Sequence, residues 1–177
     1  MNGSSLRIAL LADTHGTLDA RIAACVADCD YAVHAGDIGN AAVLEALRPR
    51  VAPVLAVRGN NDIPAKWPRD EHDFLQALPE TEKLELPGGT LAVVHGHRAG
   101  AVRDRHARLR SQFPTARVIV YGHSHRLVCD QNEPIWVLNP GAAGRARTYG
   151  GPSCLILHVG LWRWHVETLR FTNGKVR

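Results

Sequence analysis

With 177 residues the chain is long enough for one domain with a substantial core but, at roughly 150 residues per domain, not for two. Apolar residues make up 45% and charged residues 21%, which excludes a disordered chain, and no apolar run approaches the roughly 20 residues of a membrane-crossing helix. The net charge of +4, from 21 basic and 17 acidic residues, tilts the surface towards anionic ligands without the dense Lys/Arg stripe of a dedicated nucleic-acid binder.

Arg7 to Ala12 is a short apolar run that stops at Asp13, the pattern of a strand buried on both faces. Met1 to Arg7 before it lacks the basic start, apolar stretch and cleavage site of an export signal, so a cytoplasmic protein is expected. Leu18 to Ala27 has helical apolar spacing. Tyr31 to Ala35 is a second buried strand ending at Gly36-Asp37, and Ala41 to Leu47 a second helix closed by Pro49. Val51 to Val57 reads as a third strand, ending at Gly59-Asn60-Asn61-Asp62. Strands alternating with helices imply right-handed crossovers and a mainly parallel sheet.

The pattern then changes. Ile63 to Pro79 is Pro-interrupted and weakly helical; Lys83 to Leu86 and Thr90 to Val94, joined by Pro87-Gly88-Gly89, read as a hairpin running into His95-Gly96-His97. A helix over Ala101 to Phe113 leads to a strand at Val118 to Tyr121 and then Gly122-His123-Ser124-His125. Strand-like pieces follow at Leu127 to Asp130, Ile135 to Leu138, Ser153 to Val159 and Trp162 to Phe171, so the second half is expected to form a β-rich sheet laid against the first. Cys25 and Cys29, one helical turn apart, and Cys129 and Cys154 read as reduced, semi-buried small residues, because no second close pair completes a zinc knuckle. The basic cluster Arg103, Arg105, Arg108 and Arg110, with His106, spreads around a helix and reads as solvated surface. Trp136, Trp162 and Trp164 are expected in the sheet interface or a subunit contact, and a homodimer is compatible with the size.

Polar clusters directly follow apolar strands at Asp13-Thr14-His15, Gly36-Asp37, Asn60-Asn61-Asp62, His95-Gly96-His97 and His123-Ser124-His125. Ligands of open α/β sheets bind outside the carboxyl ends of the strands, so these distant clusters should converge on one edge. Imidazoles, carboxylates and one amide without thiolate suit Mn, Fe, Zn, Co or Ni. In Asp-x-His and His-x-His on an extended segment, a period of two would put both side chains on one side. The glycines before Asp37, Asn60 and His123 allow close backbone approach.

The order Asp-x-His, Gly-Asp, Gly-Asn-x-Asp, His-Gly-His, Gly-His-x-His resembles the calcineurin-like metallophosphoesterase superfamily, and more narrowly its small YfcE-type phosphodiesterases, from Arg7 to about Gly144 including Asn139-Pro140-Gly141. The resemblance implies an α/β fold, a β-sandwich of two mixed sheets flanked by helices in four layers. It also implies two divalent metal ions, manganese favoured, with Asp13, His15 and His125 on one, Asn60, His95 and His123 on the other, and Asp37 bridging. Asp37, Asn60 and His95 are the catalytic candidates. Two cations about 3.5–4 Å apart can share a hydroxide that attacks phosphorus in line.

The sequence departs from the superfamily at Asn61, where many members carry a histidine proposed to protonate the leaving group. YfcE-like proteins also lack it. Asp62 is expected to orient Asn60 or His95 from behind, and His97 to contact phosphate or a ligand. Among the loop arginines Arg58, Arg98, Arg126, Arg145 and Arg147, the choice for a phosphate fork falls on Arg98 and Arg126. His34 reads as a hydrogen-bonded core histidine, and His72, His106, His158 and His165 receive no role. Hydrolysis of a small phosphodiester is the favoured function. Behind it come a nuclease or nucleotide pyrophosphohydrolase, which would make nucleic acid a partner, and a protein-interaction scaffold with a silent site.

Overall fold

The computed structural model describes residues 5–172. Met1–Ser4, within the stretch searched for an export signal, lie outside the described residues.

The first half alternates as its sequence implies: β1 (Leu6–Leu11), α1 (Ala20–Ala27), β2 (Tyr31–His34), α2 (Ala41–Glu45) and β3 (Leu55–Ala56). The three strands pair in parallel, with Ile8 opposite Tyr31 and Val33 opposite Leu55. Asp19 caps α1 by accepting from the Arg21 N–H, so the helix starts at Ala20 and not Leu18. Asn40 caps α2 in the same way through Val43. The third strand is much shorter than the expected Val51 to Val57. Pro53 has no N–H for a ladder, and Arg50 and Val51 donate instead to the Cys29 and Asp30 carbonyls.

The rest comprises 3-10 turns at Pro64–Lys66, Arg69–Glu71 and Val102–Asp104, then α3 (His72–Ala77), β4 (Thr81–Leu86), β5 (Gly89–Val94) and α4 (Arg105–Gln112). They are followed by β6 (Ala116–Val120), β7 (Leu127–Asp130), β8 (Trp136–Pro140), β9 (Ser153–Val159) and β10 (Trp164–Arg170). One sheet runs β4-β5-β6-β8-β7, with β5, β6 and β8 parallel and the outer strands antiparallel. The other runs β10-β9-β1-β2-β3. The last two strands therefore cross back to extend the first sheet, where a second-half sheet was expected to keep them. They cover the edge of β1 with antiparallel partners, Leu10 against Leu155.

Alternation along β1 sets the layers. Ile8 and Leu10 face Leu91, Val93, Val118 and Val120 of the opposite sheet, while Ala9 and Leu11 face Ile22 and Val26 of α1. On the far side Ile119 and Val137 pack under Leu109 and Phe113. The order is helices, sheet, sheet, helices, the four-layer sandwich the resemblance implies. Each fully buried leucine or isoleucine of this core contributes about 1.5–3 kcal/mol.

Trp164 is buried between the sheets and donates to the Pro87 carbonyl, and Trp136 is half-buried against the same core, while Trp162 is 87% exposed at the β9–β10 turn. Two peripheral expectations need correcting. The arginine cluster is not uniformly solvated: Arg105 is 8% exposed, and Arg110 bridges Asp130 and Glu133 at 2.8 Å each. Asp130 lies under α4, and pairing with it offsets the desolvation of the guanidinium stem. Cys29 and Cys154 are buried and free as expected, with burial pushing their thiols up to about 11 and about 12, whereas Cys129 is exposed. Among the described residues no helix is long and apolar enough to cross a membrane.

Candidate metal centre

Each of the five polar clusters leaves the carboxyl end of its strand: Asp13 and His15 after β1, Asp37 after β2, Asn60 after β3, His95 after β5, and His123 and His125 after β6. The first four donors come from one sheet and the last three from the other. They meet. His15 Nε2 lies 3.0 Å from His125 Nε2 and 3.8 Å from Asp37 Oδ2, and His125 Nε2 lies 3.6 Å from Asp13 Oδ1. On the other side Asn60 Oδ1 lies 3.1 Å from His95 Nε2 and 3.0 Å from His123 Nδ1, while His95 Nε2 is 3.4 Å from Asp37 Oδ1. Asp37 thus turns one carboxylate oxygen to each group.

The backbone achieves this differently from the expected extended alternation. Asp13, His15, Asp37, His123 and His125 all have left-handed φ, between 47° and 66°. This region is sparse for residues with a Cβ, and aspartate and histidine are among the few that enter it readily. Bonds between loops over-determine it: the N–H groups of Asp13, His15 and Gly16 donate to the carbonyls of Gly36, Asp37 and Ile38 at 3.0, 2.9 and 2.7 Å. Gly36 and Gly59 are obligatory here. A Cβ on Gly36 would come within 2.8 Å of His95 Nδ1 and Gly59 N, and one on Gly59 would overlap Asp37 itself.

The electrostatics ask for positive charge. Asp13 is fully buried; one carboxylate oxygen accepts from the His123 N–H at 3.1 Å and the other has no partner. Burial pushes its carboxyl up to about 7, against the pull of His95. Burial acts the same way on Asp37, but His95 and two N–H bonds from Asn61, at 2.8 and 2.6 Å, outweigh it and hold that carboxyl well below the usual range. Burial disfavours charge on His95, yet Asp37 overrides this and raises it. Burial lowers His15 and His123 and brings His125 down to about 4, which favours the neutral form of these rings. Donation from Nδ1 to the Ala35 carbonyl at 2.8 Å and the Ala146 carbonyl at 3.0 Å aims Nε2 of His95 and His125 inward. An orphaned buried carboxylate oxygen among neutral imidazoles fits a divalent cation of borderline softness. Asp13, His15, Asp37 and His125 in particular offer atoms all within 4.8 Å of one another.

A model of the calcineurin-like phosphoesterase superfamily domain matches residues 6–160. The chain belongs to that superfamily. A probable metallophosphoesterase of Methanocaldococcus jannaschii is 29% identical over 146 residues, spanning 79% of this chain and 69% of its own. Among solved structures, the phosphoesterase YfcE of E. coli is 26% identical with a TM-score of 0.62, over 86% of this chain and 88% of that one. Vps29 of Entamoeba histolytica in complex with zinc is 17% identical with a TM-score of 0.70, over 94% and 99%, and shares the fold.

Around this candidate centre the structure places the other expected residues as follows. The Asp62 carboxylate makes no hydrogen bond to Asn60 or His95 among the described residues. It is buried and accepts from the N–H groups of Ile38, Gly39 and Gly59 at 2.9, 3.0 and 2.7 Å and from Trp67 Nε1 at 3.0 Å, tying the second loop to the third. His97 is half-buried, its ring 5.6 Å from that of His95, and its buried Nδ1 has no partner. With Asn60, Arg58 and Arg98 it lines a cavity of about 400 Å³. Arg98 and Arg58 both bond Glu80, at 2.6 and 3.2 Å, and Arg126 lies 4.4 Å over the Tyr149 ring. The arginine that reaches the donors is Arg147, whose guanidinium lies 3.0 Å from His125 Nε2. It comes from the loop after β8, folded back by Gly141, Gly144, Gly150 and Gly151; those glycines were the available signal. Asn139 is buried and donates to the Gly122 carbonyl at 2.7 Å and to Ser124 Oγ at 3.1 Å, so the Asn-Pro-Gly turn braces the loop of His123 and His125.

Proposed function

We propose that this chain is a phosphodiesterase that hydrolyses small diesters with two divalent cations, manganese favoured over Fe, Zn, Co or Ni. The observation that carries the reading is the double-facing Asp37 carboxylate, 3.8 Å from His15 on one side and 3.4 Å from His95 on the other. Asp13, His15 and His125 with one Asp37 oxygen would hold the first cation, and Asn60, His95 and His123 with the other oxygen the second. When bound, such a pair activates water as a nucleophile and neutralises the phosphate oxygens.

The chain's own residues prepare the site. Asn61 fixes Asp37 with two N–H bonds, and the Ala35 and Ala146 carbonyls fix the imidazole tautomers before substrate arrives. Arg147 stands beside His125, where a guanidinium fork meets a non-bridging phosphate oxygen. The cavity of about 400 Å³ next to Asn60 suits one small organic arm of a diester. Its arginines are already paired to Glu80, which favours a small substrate over a nucleic-acid backbone.

The test is manganese-dependent hydrolysis of bis(4-nitrophenyl) phosphate by the wild type and Asp37→Asn. The variant should lose more than about 10²-fold in rate and its bound manganese while circular dichroism stays unchanged. Retained activity or retained metal in Asp37→Asn would sink the reading. Cleavage of single-stranded oligonucleotides faster than the small diester would put the nuclease first.

A further inference from the structure

At position 61, where many superfamily members carry a histidine, Asp37 engages the Asn61 backbone N–H and one hydrogen of its amide. Asn61 is thereby tied to Asp37, and its neutral amide has neither the charge nor the acidic proton of an imidazolium. Its remaining polar atom, Oδ1, holds the ammonium of Lys66. Lys66 is one of only three lysines in the chain, the others being Lys83 and Lys175, and Lys175 lies outside the described residues.

The position of Lys66 follows from local structure. It closes the 3-10 turn Pro64–Lys66, which opens on a proline with φ already set, and its N–H donates to the Ile63 carbonyl at 2.9 Å. The next residue, Trp67, is buried and anchored by Nε1 to Asp62. The turn is thus pinned to the same carboxylate that ties the second and third loops. Lys66 lines, with His15, Asp37, Gly39, Asn61 and Asp62, a cavity of about 200 Å³ directly over the centre. An exposed lysine held only by a neutral amide contributes little to stability. An ammonium carries three N–H donors, and one contact to Asn61 leaves two. The surrounding donors, once they hold cations, make this cavity a place for phosphate oxygens.

We propose that Lys66 is a catalytic residue that contacts the substrate phosphate on its leaving-group side and neutralises the charge that grows there. The phosphate assignment rests on the phosphodiesterase reading; the anion contact does not. Lysine here takes over, from a segment outside every recognisable motif, the cationic role that the asparagine cannot fill.

The experiment compares wild type, Lys66→Met and Lys66→Arg in three measurements: bound manganese, binding of inorganic phosphate by calorimetry, and hydrolysis of aryl phosphodiesters whose phenols span a range of acidity. Lys66→Met should keep its manganese, bind phosphate about tenfold more weakly, which is about 1.4 kcal/mol, and lose roughly 10²-fold in kcat/KM. Its loss should deepen as the leaving phenol becomes less acidic, and Lys66→Arg should recover most of both properties. Unchanged phosphate affinity in Lys66→Met, or a rate loss equal for every phenol, would overturn the proposal. If the wild type cleaves no diester yet binds phosphate through Lys66, the phosphodiesterase reading falls and the anion contact stands.

Discussion

At His34 the hydrogen bonds dictate a protonation state. The ring is fully buried, with Nε2 2.9 Å from Thr14 Oγ1, whose own proton goes to the Ile38 carbonyl at 3.0 Å. Thr14 therefore accepts from Nε2–H, and Nδ1 accepts the Gly36 N–H at 3.2 Å. A second proton would confront that N–H, and burial already pushes the ring down to about 4 from 6.5. The folded state binds fewer protons than the unfolded one between these values, so His34 adds stability at neutral pH that is lost as pH falls from 6.5 to 4. The contribution is about 3 kcal/mol. Urea denaturation of metal-free protein across that window should give a shallower pH slope for His34→Asn than for wild type, and an equal slope would reject the assignment. Reading His34 as a core histidine needed only its place within an apolar strand. The seven donors were legible for a similar reason, since polar clusters at strand ends converge in any sheet of this kind. What the sequence could not reveal was the conformation that aims them, because left-handed φ at Asp13 or His125 is imposed by bonds to loops far away in the chain.

Between elements, Asp62 is the knot. Its carboxylate collects three backbone N–H groups from the loops after β2 and β3 and the indole of Trp67. Removing it leaves these donors buried without acceptors, each costing about 1–3 kcal/mol less whatever water recovers. Asp62→Ala is expected to lose roughly 3 kcal/mol or more in urea denaturation and to weaken manganese binding, although no metal role is assigned to it. A variant that keeps full stability but loses metal would instead make Asp62 a ligand. The sequence placed Asp62 near the site but not its partners, since Trp67 and Gly39 are brought to it only by folding. The same holds for the truncated β3 and for α4, whose Arg110 turns inward to Asp130 of β7 and whose Arg105 lies over the Tyr121 ring.

At the scale of the whole molecule, the donors belong to two sheets, four residues from the edge of one and three from the other. Cation binding should therefore clamp the sandwich. Saturation to about 100 times the dissociation constant adds about 2.7 kcal/mol to the folded state, so the melting temperature should rise with manganese and fall back with chelator. Asp37→Asn should show neither change; a wild-type melting curve indifferent to manganese would refute the clamp. The sandwich was readable from alternating strands and helices followed by hairpins. The return of β9 and β10 to the first sheet was not, because two-residue alternation shows which face of a strand is buried but not which neighbour it pairs with.

The left-handed backbone at five donor positions also restricts the amino acids they can hold. A valine or isoleucine at His15 or His123 is refused by its own Cβ branch before any question of chemistry arises, whereas asparagine and glycine are accommodated. Replacements that silence this centre without unfolding it are therefore drawn from a short, polar vocabulary. A chain that had ceased to bind cations would still carry in its loops the silhouette of one that did.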